Sequence, residues 1–389
     1  MKDKSNISEL FHNTKVKKSY LKVCAPMVRY SKVQFRTLVK NFGVDLTFTP
    51  MILADSFCQN MKARASEFST TSSDTPLIAQ FAANNADDFI DASRLIYPYT
   101  DGVDLNCGCP QKWAINDGYG CSMLSKPEVI HDIVRGVRSN LPNNFSVSVK
   151  IRVLKELKKT INLCQQLEKC GVTFLTVHGR TPEQKSGDCI NTNALKEVCQ
   201  SVQVPIVANG GVKSLADADE LHNTVCCDGV MAASGLLTNP ALFSGANTTP
   251  LNCVKQWIDL KNQMKDRITF QCYHHHLVFM LEKVLSKQQK RIFNHLGSFE
   301  TVDDYLDRNI LGSINCTNEC SNCSLDEFVT CDFPEEITLK HAKKCRCCGR
   351  SVTYCVCKKY DYDASDGSFF LTYVDTNDEN VGLNIFDES

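Results

Sequence analysis

The sequence predicts an α/β protein: a (β/α)8 TIM barrel with a C-terminal α-helical domain and a Cys-rich tail. Between residues 22 and 233, short apolar, β-branched runs alternate eight times with amphipathic segments. Parallel strands need helical crossovers, so this alternation favours a barrel. Strand signals stop after residue 250. A doubly wound sheet is the weaker alternative, because Cys24-Ala25-Pro26-Met27 offers no Gly-rich fingerprint after the first strand.

The elements are predicted in chain order. Residues 1–20 are polar, lack the apolar core of a secretory signal, and are expected to be a disordered segment. The barrel takes residues 21–250, and its eight strands are predicted at 22–25, 46–49, 77–81, 103–106, 146–152, 174–178, 205–209 and 229–233. Helices are predicted between them, among others at 129–141, 160–170, 193–202 and 216–224.

The rest of the chain divides into three parts. Residues 251–312 are predicted as four helices, at 254–264, 273–285, 287–296 and 302–311. Between residues 250 and 297, eight Lys and Arg oppose three acids, which suits a solvated helix face or RNA contact about equally. Residues 313–357 form the Cys-rich segment, and residues 358–389 form an acidic tail with two lysines against eight acids.

Composition limits the possible partners. The 389 residues are 43% hydrophobic and 22% charged, as in ordinary globular proteins, and no run of about 18 apolar residues predicts a membrane span. The net charge of -1 means that a nucleic acid must bind a local basic patch. Thirteen of the 22 cysteines are scattered through predicted strands and helices, unlike a disulfide framework. We therefore expect an intracellular reducing compartment, cytoplasmic or nuclear. The sequence specifies no oligomeric state.

Polar residues stand where the predicted strands end. In a barrel enzyme these C-terminal ends carry the reactive groups, and the chain offers Gln80, Asn106, Cys109, Lys150, His178 and Asn209 there. Any one of them alone is more simply a solvated or satisfied polar residue. Together they suit a planar, anionic cofactor: an amide pairs with a ring edge, a cation stabilises negative charge, and Asn209-Gly210-Gly211 offers backbone N–H groups to phosphate.

These residues resemble the tRNA-dihydrouridine synthase family over residues 22 to 311. The matching segments are Ala25-Pro26-Met27-Val28, Gln80-Phe81, Asp104-Leu105-Asn106-Cys107-Gly108-Cys109-Pro110-Gln111, Lys150-Ile151-Arg152, Thr176-Val177-His178-Gly179-Arg180-Thr181, Asn209-Gly210-Gly211-Val212 and Asn239-Pro240-Ala241-Leu242-Phe243. Ala54-Asp55-Ser56-Phe57, with the segments around Pro26 and Thr49, is most similar to the eukaryotic branch that acts on uridines 20a and 20b.

The resemblance implies a flavin-dependent reduction of uridine to dihydrouridine in tRNA, with NADPH as the reductant. It implies that FMN is held by Pro26, Met27, Val28, Gln80, Lys150, His178, Asn209, Gly210, Gly211, Ala233 and Ser234. Asn106 and Arg180 are implied as uracil or RNA contacts, and Cys109 as the general acid that protonates uracil C5. Cys107 and Cys121 are rivals for that role; Gly108 and Pro110 favour Cys109, because they fit a tight loop.

Two segments depart from this branch. Ser234 stands where the branch usually has Arg, which removes a charged phosphate contact, and residues 185–191 differ after the His-Gly-Arg motif. Two other hypotheses therefore remain: a non-catalytic RNA-binding or zinc scaffold with a degenerate barrel, and an FMN barrel that reduces a free pyrimidine. The basic helical domain argues against the second, because a small substrate needs no docking surface.

The tail has thiols at zinc-like spacing. Cys345, Cys348, Cys355 and Cys357 predict a zinc site. Their segment resembles the zinc-binding opening of the DTW-domain tRNA aminocarboxypropyltransferases. Cys316, Cys320, Cys323 and Cys331 form a weaker second set.

Overall fold

The computed structural model describes residues 4–264 and 267–312, together with residues 329, 331 and 333. It contains nine parallel strands: β1 (Leu21–Cys24), β2 (Leu46–Phe48), β3 (Ile52–Leu53), β4 (Leu77–Ala82), β5 (Gly102–Cys107), β6 (Ser146–Arg152), β7 (Phe174–His178), β8 (Ile206–Asn209) and β9 (Gly229–Ala232). Among the described helices, α1 to α8 are Ile7–Val16, Val33–Lys40, Ala54–Gln59, Met61–Glu67, Ala86–Ile96, Lys112–Asn116, Pro127–Asn140 and Leu157–Cys170. Helices α9 to α15 are Thr192–Ser201, Leu215–Val225, Ser234–Thr238, Leu251–Gln263, Phe270–Met280, Lys287–Asn294 and Phe299–Leu306.

Eight of the strands close into a barrel. The ring runs β1, β2, β4, β5, β6, β7, β8, β9 and back to β1, and the short β3 extends it by pairing with β4. Every residue of β4 and β5 is buried, as expected for parallel strands that are covered on both faces. The predicted TIM barrel is confirmed. Among the described residues no helix is long and apolar enough to cross a membrane.

Helix ends follow local chemistry. Ser214 caps α10 by accepting a hydrogen bond from the Asp217 N–H, and Asn85 caps α5 through the Asp88 N–H. Helix α8 ends at Gly171, whose φ of +91° lies in the left-handed region that favours glycine. These contacts fix where α5 and α10 begin and where α8 ends, between successive strands of the chain.

The N-terminal segment corrects the prediction of disorder for residues 4–20, the part of residues 1–20 that the structure describes. Asn6 caps α1, and its side chain accepts hydrogen bonds from the Ser8 and Glu9 N–H groups. Ile7 and Phe11, one turn apart, are buried, and the Phe11 ring lies 5.3 Å from the Phe174 ring at the start of β7. Helix α1 therefore covers the N-terminal end of the barrel, although its sequence is mostly polar.

The C-terminal region is helical, as predicted, and packs on the barrel. His276 of α13 stacks on Phe35 of α2 with ring centroids 4.6 Å apart, and its Nε2 lies 3.2 Å from the Tyr30 carbonyl oxygen. Buried residues of the barrel and of this helical region belong to one continuous hydrophobic core. The helices therefore have a fixed position beside the loop that follows β1.

The predicted zinc ligands Cys345, Cys348, Cys355 and Cys357 lie outside the described residues. Within the described part of the chain, no group of three or more His, Cys, Asp or Glu side chains could hold a metal ion. The zinc site therefore remains a prediction from spacing alone.

Candidate functional site

Strand register decides which side chains share the inside of the barrel. Phe48 of β2 and Phe174 of β7 are in ring contact at 6.4 Å although their strands are not neighbours, so both side chains point inward. Alternate residues then line the same face, and paired residues on parallel neighbours share it. This places three groups inside: Gln80, Asp104 and Ser148; Asn106, Lys150 and Thr176; and Arg152, His178 and Asn209.

Gln80 and Asn106 are joined by hydrogen bonds. Gln80 Nε2 donates to Asp104 Oδ2 at 2.8 Å, and Asn106 Nδ2 donates to Gln80 Oε1 at 2.9 Å. Ser148 Oγ donates to the second oxygen of Asp104 at 2.6 Å. All four side chains are buried, so protein groups rather than bulk water determine how the two amides are oriented.

Cys109 lies in the loop that follows β5, and its peptide is held on both sides. The Cys109 N–H donates to Asn106 Oδ1 at 2.9 Å, and Arg152 Nε donates to the Gly108 carbonyl oxygen at 2.8 Å. The Cys109 carbonyl oxygen accepts from the Cys121 N–H at 2.9 Å. Gly120 makes this approach possible, because a Cβ there would lie 2.5 Å from that carbonyl oxygen.

The three candidate thiols differ in exposure. Cys107 and Cys121 are buried, whereas Cys109 is partly exposed. Burial raises the pKa of Cys107 well above its usual value and that of Cys121 to about 12. Cys109 packs against a small apolar cluster that also includes Val28 and Tyr119, so the loops after β1 and β5 meet at this end of the barrel.

Cations gather at the ends of β6 and β7. Burial, and then the charge of Arg152, lower the pKa of Lys150 to about 8. Burial, followed by the charges of Lys150, Arg152 and Arg180, lowers the pKa of His178 to about 2, so its imidazole is neutral. Arg180 Nη1 lies 3.1 Å from His178 Nε2, which makes that nitrogen the acceptor. Cys109 lies close enough that a thiolate there would raise the pKa of Lys150 and of Arg152.

The loop after β8 brings backbone close to His178. Gly210 and Gly211 have φ of +121° and +77°, and a Cβ on Gly210 would lie 2.9 Å from His178 Cδ2. Asn209 Nδ2 donates to the Met231 carbonyl oxygen at 3.0 Å, which ties this loop to β9. Two glycines in the left-handed region thus leave N–H groups and open backbone beside the cations.

The remaining predicted residues lie at the same end of the barrel. Pro26, Met27 and Val28 follow β1, where the Met27 N–H donates to Ser31 Oγ at 2.9 Å. Ala233 and Ser234 follow β9, and Ser234 begins α11. Arg180, predicted to contact RNA, is 7% exposed, and its Nε donates to the Asp188 carbonyl oxygen at 2.6 Å. Part of its hydrogen-bonding capacity is therefore used within the protein.

Three residues that contact the predicted site residues or their loops, directly or through one another, had been given no role in the prediction: Asp104, Ser148 and Arg152. Each lies two residues before or after a predicted site residue on the same strand, namely Asn106 or Lys150. Because alternate residues of a strand point to the same face, this spacing was the signal that could have identified them. Their roles depend on partners from neighbouring strands, which the register determines.

Comparison with known proteins gives consistent results. Residues 23–304 match the family described as Dihydrouridine synthase (Dus). A mouse protein named tRNA-dihydrouridine(20a/20b) synthase (NAD(P)+)-like is 48% identical over 299 residues, which cover 77% of this chain and 90% of the relative. The human protein of the same name is 46% identical, with 77% and 92% covered. A tRNA-dihydrouridine(20a/20b) synthase (NAD(P)+) of Schizosaccharomyces pombe is 42% identical over 289 residues, with 74% and 87% covered.

Proposed function

The chain belongs to the dihydrouridine synthase family, and we propose that it reduces uridine to 5,6-dihydrouridine in tRNA, at positions 20a and 20b. Three relatives with that activity in their names are 42% to 48% identical and are covered over at least 87% of their own lengths. The observation that carries the proposal is the grouping of Gln80, Asn106, Lys150 and His178 on the inner face at one end of the barrel.

The donor set of this end fits FMN. The charge of Arg152 lowers the pKa of Lys150 and of Arg180, and all three cations lower that of His178, so the group favours an anion. Gly210 and Gly211 leave backbone N–H groups beside them for a phosphate. Gln80 would hold the polar edge of the ring, Lys150 its negative charge, and the Pro26 to Val28 loop its apolar side.

The chemistry divides between cofactor and protein. Bound FMN, reduced by NADPH, would supply the hydride that uracil C6 takes up. Cys109 donates the thiol proton to C5, which completes the addition of two hydrogens across the C5=C6 bond and leaves a thiolate. Lys150 and Arg152 stabilise that thiolate by their charge, and partial exposure of Cys109 lets solvent return the proton. Asn106 is positioned to contact the base.

The substrate must come out of a folded RNA. A stacked uracil reaches a barrel mouth only when it is flipped out, and the backbone around it then needs a docking surface. Lys283 is exposed between α13 and α14, and Lys287 and Arg291 are exposed along α14, while Lys290 is paired with Glu282 at 2.8 Å. We assign tRNA backbone contact to this surface because positive charge there neutralises phosphates.

The compartment follows from the thiols. Among the residues that the structure describes, no cysteine is part of a disulfide, and Cys109 is partly exposed. A general acid of this kind is lost when it is oxidised, so the activity needs reducing conditions. We propose the cytoplasm or the nucleus.

The test uses the full-length protein, NADPH and an unmodified tRNA transcript. We expect a yellow protein with flavin absorbance that forms dihydrouridine at 20a and 20b, mapped by primer extension, and that leaves free uridine unreduced. Cys109→Ala should abolish product while flavin stays bound; Cys121→Ala is the matched control and should keep most activity. A colourless protein, or one as active on free uridine as on tRNA, would contradict the proposal. Full activity of Cys109→Ala would refute the assigned proton donor.

A further inference from the structure

A chain of hydrogen bonds leads from the barrel interior to the backbone of Cys109. Ser148 Oγ and Gln80 Nε2 both donate to the Asp104 carboxylate, and Asn106 Nδ2 donates to Gln80 Oε1. The N–H groups of Gly108 and Cys109 in turn donate to Asn106 Oδ1. We propose that Asp104 is a positioning residue, whose carboxylate sets the orientation of both amides and thereby holds the Gly108–Cys109 peptide in place. The inference rests on the proposed role of Cys109.

The carboxylate matters because it can only accept hydrogen bonds. Asp104 Oδ2 therefore requires the NH2 end of Gln80, and the oxygen end of Gln80 then faces Asn106. Asn106 must present its own NH2 to that oxygen, which turns Asn106 Oδ1 toward the two backbone N–H groups at 3.1 and 2.9 Å. A reversed Asn106 amide would instead set its NH2 against two further donors.

Burial makes this orientation depend on Asp104. Asp104 and Ser148 are fully buried and Gln80 is 1% exposed, so water has no access to replace a missing partner. Burial raises the pKa of Asp104 to about 6, while hydrogen bonds from Ser148 and Gln80 oppose that rise. The group is thus largely ionised at neutral pH and acts as the acceptor that the chain needs.

The other side of the same peptide is held independently. Arg152 Nε donates to the Gly108 carbonyl oxygen at 2.8 Å, while Asn106 accepts from the Cys109 N–H. Because both the carbonyl oxygen and the N–H of the Gly108–Cys109 peptide are held by hydrogen bonds, the peptide plane has little freedom to rotate. The direction in which the Cys109 side chain projects is therefore defined. Releasing the Asn106 end would let the plane rotate about the Arg152 contact.

Two substitutions at one position separate orientation from charge. Asp104→Leu has a similar shape but no acceptor. Asp104→Asn is the matched control: its oxygen can accept from Gln80, and its NH2 can donate to the Ser148 hydroxyl, which can also accept. If Asp104→Leu does not yield folded protein, Asp104→Ala takes its place.

The first measurement is hydrogen–deuterium exchange, which needs no assumption about Cys109 chemistry. We expect the Gly108 and Cys109 amides to exchange about tenfold faster in Asp104→Leu, and within about threefold of the parent in Asp104→Asn. Unchanged exchange in Asp104→Leu overturns the proposal. So does equal acceleration in both variants, because charge rather than amide orientation would then be responsible.

The second measurement is single-turnover reduction of tRNA by the NADPH-reduced holoenzyme. Asp104→Leu should be slower by about tenfold or more, with rescue in Asp104→Asn and with flavin reduction by NADPH within about twofold of the parent. Normal turnover in Asp104→Leu overturns the proposal. Full activity of Cys109→Ala instead removes the proposed proton donor while the exchange result still tests the hydrogen-bond chain, so the two failures are distinguishable.

Discussion

Replacing Arg152 by Lys separates the geometry of the Cys109 loop from its electrostatics. Arg152 is 4% exposed; its Nε donates to the Gly108 carbonyl oxygen at 2.8 Å and its Nη1 to the Thr181 carbonyl oxygen at 3.1 Å. Lys keeps the positive charge near Lys150 but lacks the planar fork, so it can reach at most one of the two carbonyls. The substitution therefore loosens the link between the loops after β5 and β7.

The expected loss follows from the contacts. A hydrogen bond to a charged group contributes about 1.5–3 kcal/mol, and one such bond is lost. If that energy holds Cys109 in place during proton transfer, the rate of dihydrouridine formation falls by about 10- to 100-fold. The free energy of unfolding should fall by a similar amount, because a buried carbonyl loses its donor.

A matched control shows whether the rate effect is specific. Arg138 likewise donates hydrogen bonds to two carbonyl oxygens, those of Gly171 and Phe145, and a third to Thr173 Oγ1, but it does so at the opposite end of β6 and β7. Arg138→Lys should lower stability in urea while leaving the single-turnover rate unchanged. Equal rate losses in the two variants would refute the reasoning, because the effect would then come from general destabilisation.

Phe11→Ala should lower the free energy of unfolding by about 3–5 kcal/mol in urea titrations, because a buried ring is removed from the barrel end, whereas the exposed His12→Ala should have little effect; equal effects would contradict the packing of α1. Burial lowers the pKa of His276 to about 3, below the value of about 6.5 in the unfolded chain. The neutral His276 side chain makes its full contribution to the free energy of unfolding above pH 6.5, and that contribution falls by about 1 kcal/mol per pH unit as the pH decreases below 6.5. His276→Phe should therefore flatten the dependence of stability on pH between 6 and 4. Identical slopes in variant and parent would contradict this. Lys287→Glu with Arg291→Glu should weaken tRNA binding and reduce its salt slope by about 1 per lost phosphate contact; an unaltered slope would place the docking surface elsewhere.

The barrel was predictable because parallel strands covered on both faces are continuous apolar runs. Ser146–Arg152 and Phe174–His178 match the predicted bounds, and Val103 to Asn106 needed only one more residue at each end. Helix α1 was missed because only Ile7 and Phe11 carry its packing, and two residues give little periodicity. Strand β3 has two residues, too few for any pattern.

The site was predictable only as far as strand ends could be read. Gln80 and Lys150 could be named as candidates because each stands near the end of an apolar run. Asp104 was not, since its importance lies in a hydrogen bond to a neighbouring strand, and single-sequence patterns do not give the register between strands. Arg152 was named only within the matching segment Lys150-Ile151-Arg152 and was given no role, because its partners, Gly108 and Thr181, lie in two different loops.

The two ends of the barrel differ in polarity: one is closed by apolar side chains and the other carries positive charge. The N-terminal end is closed by an apolar contact between Phe11 and Phe174, which needs no ligand. At the other end, the lowered pKa of Lys150 means that its positive charge is held there at a cost, and the same surroundings keep His178 neutral. An anionic ligand offsets that cost and raises the pKa of Lys150, so its binding takes up a proton near pH 8.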